Sequence, residues 1–190
     1  MRAKVAVAAS FVALVCAGTW LGGMLVLGAL VAPVVFRMVP APTSGDAMSV
    51  VFLRFDRVAV LLGCALLLAE AALTRVSPVR RALRDRLRLA ATLAALGFAL
   101  YTALVLAPGI AALHAQGAVR GVGEAGLSLD RLHDRARWLG QAQALLLLVV
   151  IGFHAELLRR RGPPLGAVGT EISPRGDVGG TGERRGARSD

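Results

Sequence analysis

Lysine is almost missing from this chain: Lys4 stands alone against 21 arginines. Aromatic residues are scarce as well, at 5% of the sequence, with two tryptophans and one tyrosine. The net charge of +10 would otherwise suggest nucleic acid, but the arginines are not interleaved with the rings on which bases stack. They stand instead at the ends of apolar runs, where they set membrane topology and meet lipid phosphates. Their excess over lysine reflects coding bias more than chemistry. Cysteine is limited to Cys16 and Cys64, both inside apolar runs, which excludes a disulfide framework and leaves two small interior residues. No serine or cysteine is placed as a nucleophile beside a base, and no carboxylate cluster marks a metal centre, so the chain reads as non-enzymatic, with no metal and no cofactor.

What the chain has in excess is apolar length. Residues of that kind make up 56% of it, and no charge interrupts the stretch between Lys4 and Arg37. A helix over Val5 to Val35 exceeds a bilayer core of about 30 Å. Gly18, Gly22, Gly23 and Gly28 give this helix gaps for close approach by neighbours, and Pro33 closes it. Met1, Arg2 and Lys4 ahead of an apolar run also resemble a secretory leader, with Val15, Cys16 and Ala17 at a cleavage point. The run continues well past a leader's core, so it is expected to stay as a span.

Three more runs follow. Pro40, Pro42 and Gly45 mark a turn, helical pattern resumes at Ala47, and a second span covers residues 52–74 with Glu70 near its far end, placed to reach Arg75 at the interface. Ser77 and Pro78 start the next helix, whose Arg80, Arg84 and Arg88 share one face and should lie among lipid headgroups. The third span, 87–108, is stopped by Pro108 and Gly109. After a glycine-rich loop Ser128 caps a long fourth helix, whose span is 136–158, with Trp138 in the interfacial belt and Gln141 and Gln143 available for hydrogen bonds between helices. Residues 1–161 thus form one transmembrane domain with spans at about 5–35, 52–74, 87–108 and 136–158. Residues 162–190, rich in glycine, proline and charge, form a disordered cytoplasmic tail.

Arginine is densest at the N-terminus, between spans two and three, and after span four, which places both termini in the cytoplasm. The fold class is an all-α, polytopic four-helix bundle. The opposite mouth gathers Arg37, Arg54, Asp56, Arg57, His133, Asp134 and Arg137, the candidate outward polar site. Asp130 and Asp134 also suit the helix dipole and pair with nearby arginines, which needs no catalytic role. His133 and His154 lie about 30 Å apart along one helix and cannot share an ion. A pairing of His114 with His133 on the outer face stays open.

The stretch W-L-G-G-M-L-V-L-G-A-L-V-A-P-V-V-F-R from Trp20 to Arg37, the F-L-R-F-D-R of Phe52 to Arg57, and the L-D-R-L-H-D-R-A-R of Leu129 to Arg137 resemble the small four-helix membrane proteins of domain-of-unknown-function family 4149, the transmembrane protein 205-like proteins. The resemblance runs from about Phe11 to Leu158 and rests most on Ala32, Pro33 and Phe36 and on Leu132 and His133. It implies an integral membrane protein with no established reaction. Trp20, Gly22 and Gly23 are also similar to membrane domains of the copper-resistance type, and Met24, Met38, Met48, His114 and His133 are ligand types that copper accepts. The resulting expectation is a multi-pass protein of the bacterial cytoplasmic membrane with a structural or interaction role, in contact with lipid, able to self-associate, and without nucleic acid. The alternative is a small transporter or copper-handling protein working through the outward site.

Overall fold

The computed structural model describes residues 2–76 and 82–161, and every regular element among them is helical. Ser77, Pro78 and Arg80, and the tail 162–190, lie outside the described residues. Helix α1 is Arg2–Met38, α2 is Thr43–Val76, α3 runs from Ala82 to Ala115, and α4 is Gly123–Arg161. Arg2–Met38, Leu83–Ala115 and Gly123–Arg159 are long and apolar enough to cross a membrane. The second helix is of similar length but carries Arg54, Asp56, Arg57 and Glu70 along it.

Two prolines expected to end helices do not. Proline lacks the N–H that would bond the carbonyl four residues back, and its ring collides with that carbonyl; widening the preceding turn relieves both faults. In α1 the π-helical turn spans Val26–Val31, and α-helix resumes over Ala32–Met38 through Pro33. In α3 the same device occupies Thr102–Leu106 and returns to α-helix over Ala107–Ala115, through Pro108 and Gly109. The second helix likewise begins at Thr43 rather than near Ala47. Ser128 is no cap, because α4 already starts at Gly123.

One apolar core draws on all four helices. Ala13, Cys16, Ala17, Trp20 and Leu21 of α1 pack with Ala59, Leu66 and Ala69 of α2, Ala91, Ala95 and Ala99 of α3, and Leu147 and Val150 of α4. The interior is thus built largely of alanine with a minority of leucines, while many other leucines face outward: Leu68 is 72% exposed, whereas Glu70, two residues on, is 0% exposed. A water-soluble helix would carry the reverse pattern. Small residues inside and branched aliphatics outside suit helices whose surroundings are lipid, where close backbone approach and polar contacts drive association.

The glycines expected to mediate packing divide. A Cβ on Gly18, Gly22 or Gly28 would meet nothing within 4 Å, so these three bring no neighbour close within this chain. One on Gly23 would strike the Phe55 ring of α2. A second close approach is Gly63, which with Cys64 and Ala65 gives the second span its small face; there a Cβ would lie 2.8 Å from Leu96 Cδ1 and 3.1 Å from Trp20 Cζ3. Leu96 can rotate away, but Trp20 is fully enclosed. Gly63→Val is therefore expected to destabilise the protein by about 1–3 kcal/mol through overpacking. Unfolding in mixed detergent micelles checks this, with Gly97→Val as the unstrained reference, since nothing lies within 4 Å of a Cβ there. Equal stability of the two variants would contradict the packing account.

Candidate functional site

The helices alternate in direction, so the start of α1, the end of α2, the start of α3 and the end of α4 share one end of the bundle: Ala6 and Ala9 of α1 pack with Leu73 of α2 and Leu157 of α4, and Glu70 of α2 meets Arg88 of α3. Just inside that end, three helices each contribute one ionisable side chain. Glu70 of α2 accepts from Arg88 Nε of α3 at 2.8 Å to Oε1 and 2.6 Å to Oε2, and from His154 Nε2 of α4 at 2.7 Å to Oε1. Glu70 and His154 are fully buried and Arg88 nearly so. Arg88 Nη1 also reaches Asp85 Oδ1 at 3.3 Å, one turn back on its own helix. Two sequence-based expectations are corrected here. Glu70 turns inward to Arg88 and His154 rather than out to Arg75, and Arg88 leaves the headgroup face on which its spacing with Arg80 and Arg84 had placed it.

The chemistry of the triad follows from its donors and acceptors. An ionised carboxylate only accepts, so His154 Nε2 carries the hydrogen and, in the neutral ring, Nδ1 holds a bare lone pair. That Nδ1 is buried and has no hydrogen-bond partner, and the same is true of Thr92 Oγ1 and Trp20 Nε1. Arg88, Thr92 and Leu96 follow one another at one-turn intervals on α3, and Leu96 meets Trp20 over Gly63. Thr92 thus stands one turn from Arg88 on α3, and the three unpaired atoms come from α1, α3 and α4.

At the opposite end, the close of α3 is fixed by a glycine. Gly117 adopts φ +75°, its N–H bonds His114 O at 2.9 Å, and Ala118 N–H bonds Leu113 O at 3.0 Å. This paired closure satisfies the last carbonyls and sets His114 in the final turn. The chain then folds back so tightly over the start of α4 that a Cβ on Gly126 would strike the Val119 carbonyl. His114 and His133 are thereby brought together, with ring centroids 6.0 Å apart and planes inclined at 47°. Ser49 Oγ of α2 lies 3.4 Å from His114 Nδ1, and His133 Nδ1 lies 2.9 Å from Leu129 O.

The rest of the expected outward site is not gathered into a network. Asp134 pairs with Arg137 one turn along the same helix at 3.1 Å, and both are exposed. Arg37, Arg54 and Arg57 are exposed, and Asp56 is half-buried. The cross-loop contact at this end is instead Arg120 Nε with Asp130 Oδ1 at 2.6 Å. Near the middle, Gln143 donates to Ala95 O at 3.0 Å, the interhelical bond expected of a polar residue in α4. Among the described residues no group of three or more His, Cys, Asp or Glu is arranged to hold a metal ion.

No curated protein and no solved structure matches the chain. A family model does: the domain of unknown function DUF4149 matches residues 15–119, from the middle of α1 to the connection before α4. Glu70, Arg88 and His114 fall within that stretch, whereas His133 and His154 on α4 lie beyond it. Because the match takes in more than half of the sequence and three of its four helices, this chain belongs to the DUF4149 family.

Proposed function

We propose that the protein is a non-enzymatic, four-span membrane protein, a four-helix bundle with both termini in the cytoplasm of a bacterium, that passes protons along its interior. The observation that carries this reading is the Glu70–Arg88–His154 triad, enclosed by apolar helices. Ionisable groups at such depth are expensive, and where they occur they mark ion or proton paths by default. His154 Nε2 is hydrogen-bonded to Glu70 Oε1 at 2.7 Å and can give it a proton, and the bare Nδ1 is where a replacement proton would enter once a donor such as water reaches it. Asp56, half-buried and with no hydrogen bond or ion pair among the described residues, stands 14 residues before Glu70 on α2, about 21 Å along the axis. Exposed Arg2, Lys4, Arg75, Arg84, Arg86 and Arg159 ring the triad's end, which supports its cytoplasmic side.

The test is proton flux into proteoliposomes holding a pH-sensitive dye, driven by a potassium diffusion potential. Wild-type protein is expected to carry protons well above protein-free vesicles, and Glu70→Gln to fall to their level while eluting from a sizing column as wild type does. Flux equal in the two proteins, or absent from both, overturns the reading. A structural or interaction role is the second reading, supported by the open surface over Gly18 and Gly22 of α1, where another helix can approach. On that reading no flux is seen, and the protein runs as an oligomer broken by leucine at Gly22.

A further inference from the structure

The hydrogen bonds at the outer end decide which nitrogens of the two histidines are free. The Leu129 carbonyl only accepts, so His133 Nδ1 is the protonated nitrogen and Nε2 carries the lone pair. Ser49 has a single hydroxyl hydrogen, which it donates to Gly45 O at 2.8 Å. Toward His114 Nδ1, 3.4 Å away, Ser49 can therefore only accept, which puts the hydrogen on that nitrogen and leaves His114 Nε2 bare as well. Two neutral imidazoles with their Nδ1–H groups engaged and their Nε2 lone pairs free are in the state of metal-ligating histidines. Both rings are half-buried rather than sealed, so the pair is open to an ion from the aqueous side.

The spacing fits one ion between them. A metal bound at about 2.0 Å from an imidazole nitrogen lies about 3.2 Å from that ring's centroid, so two such rings can stand up to about 6.4 Å apart. The observed separation is 6.0 Å, which for one shared ion calls for a wide but bent nitrogen–metal–nitrogen angle of about 140°. With no third His, Cys, Asp or Glu assembled among the described residues, a divalent ion that seeks four ligands is poorly served. A monovalent d10 ion, which accepts two nitrogens at a wide angle and needs no third ligand, is better served. Close by, Arg120 and Asp130 pair with each other at 2.6 Å, as do Asp134 and Arg137 at 3.1 Å.

We infer that His114 and His133 form a two-coordinate site for monovalent copper at the mouth of the protein, bound through both Nε2 atoms. The site spans α3 and α4 and is independent of the proton reading, because neither residue touches Glu70, Arg88 or His154. Detergent-purified full-length protein, titrated with copper(I) under ascorbate against a chromophoric chelator, is expected to bind one ion per chain. His114→Ala and His133→Ala should each weaken binding at least about 100-fold, the upper end of what even outer-shell changes produce. Met38→Leu, which removes an exposed thioether, should leave it unchanged. X-ray absorption of the loaded wild-type protein guards against a folding artefact in the variants, and should report two nitrogen neighbours and no sulfur. No copper in wild type, copper retained by either alanine variant, sulfur in the shell, or zinc(II) preferred over copper(I) would each overturn the assignment.

Discussion

Glu70→Leu is expected to lower stability by about 3–5 kcal/mol, because it leaves the Arg88 guanidinium enclosed without its main counter-charge. Two contacts are lost together: both Arg88 bonds to the carboxylate, and the His154 bond at 2.7 Å. Asp85 compensates only in part, since it already sits 3.3 Å from Arg88 and is itself partly exposed. The triad is not expected to be a large net source of stability, however. Moving three polar groups out of water offsets most of what their mutual attraction returns. Replacing all three by apolar residues of similar volume, Glu70→Leu with Arg88→Met and His154→Leu, should therefore bring stability back to within about 1–2 kcal/mol of wild type, or above it. Unfolding of the purified protein by increasing detergent denaturant fraction measures both variants. A triple variant as unstable as the single would show that the groups hold the helices together, and would remove the reason for assigning them a task beyond packing.

The triad's place was partly legible in the sequence. In an antiparallel helix pair, residues equidistant from the connection lie at the same level, and Glu70 and Arg88 flank position 79 symmetrically. That symmetry competes with the nearer, equally opposite-charged Arg75, and proximity along the chain won. His154 carried no such signal, because its partner lies 84 positions away and only the packed level of α4 selects it. Helix number and type were legible from apolar runs, which length and charge spacing delimit. Helix ends were not: the rule that proline stops a helix failed at Pro33 and Pro108, where a π-helical turn absorbs the missing bond. The two places share the local sequence Ala-Pro after Leu-Val or Val-Leu, on the two helices that run in the same direction.

The outer site shows a different limit. Arg37, Arg54, Asp56 and Arg57 were grouped because topology puts helix ends on one side, but a shared side is a coarse constraint, and nothing in the pattern sets azimuth around each helix. His114 and His133 differ because Gly117 and Gly126 tie α3 to α4 through one tight connection. Glycines spaced too irregularly for a phosphate cradle were thus informative about close backbone approach. What they positioned was the pair of rings on either side.

Trp20→Ala should be the most damaging change in the apolar core, at about 3–5 kcal/mol. Trp20 is fully buried, Gly63 lies against its ring, and most of the buried residues of its core cluster are alanine, which has no side-chain length with which to fill the space left behind. The indole N–H has no hydrogen-bond partner, so the loss is one of packing and not of a polar contact. Trp20→Phe should then recover most of the stability, leaving a deficit of only about 1–1.5 kcal/mol for the smaller ring. A hidden partner for Nε1 would make phenylalanine nearly as harmful as alanine. The sharper check couples this site to Gly63, whose Cβ position faces the indole at 3.1 Å. In wild type, Gly63→Val overpacks the contact, but in the Trp20→Ala background the same valine enters vacated space and should become neutral or stabilising. The double-mutant cycle is therefore expected to show a coupling of about 1–3 kcal/mol between the two positions. Additive effects would mean that the tryptophan does not rest on the glycine, and that α1 and α2 are held together elsewhere along their length.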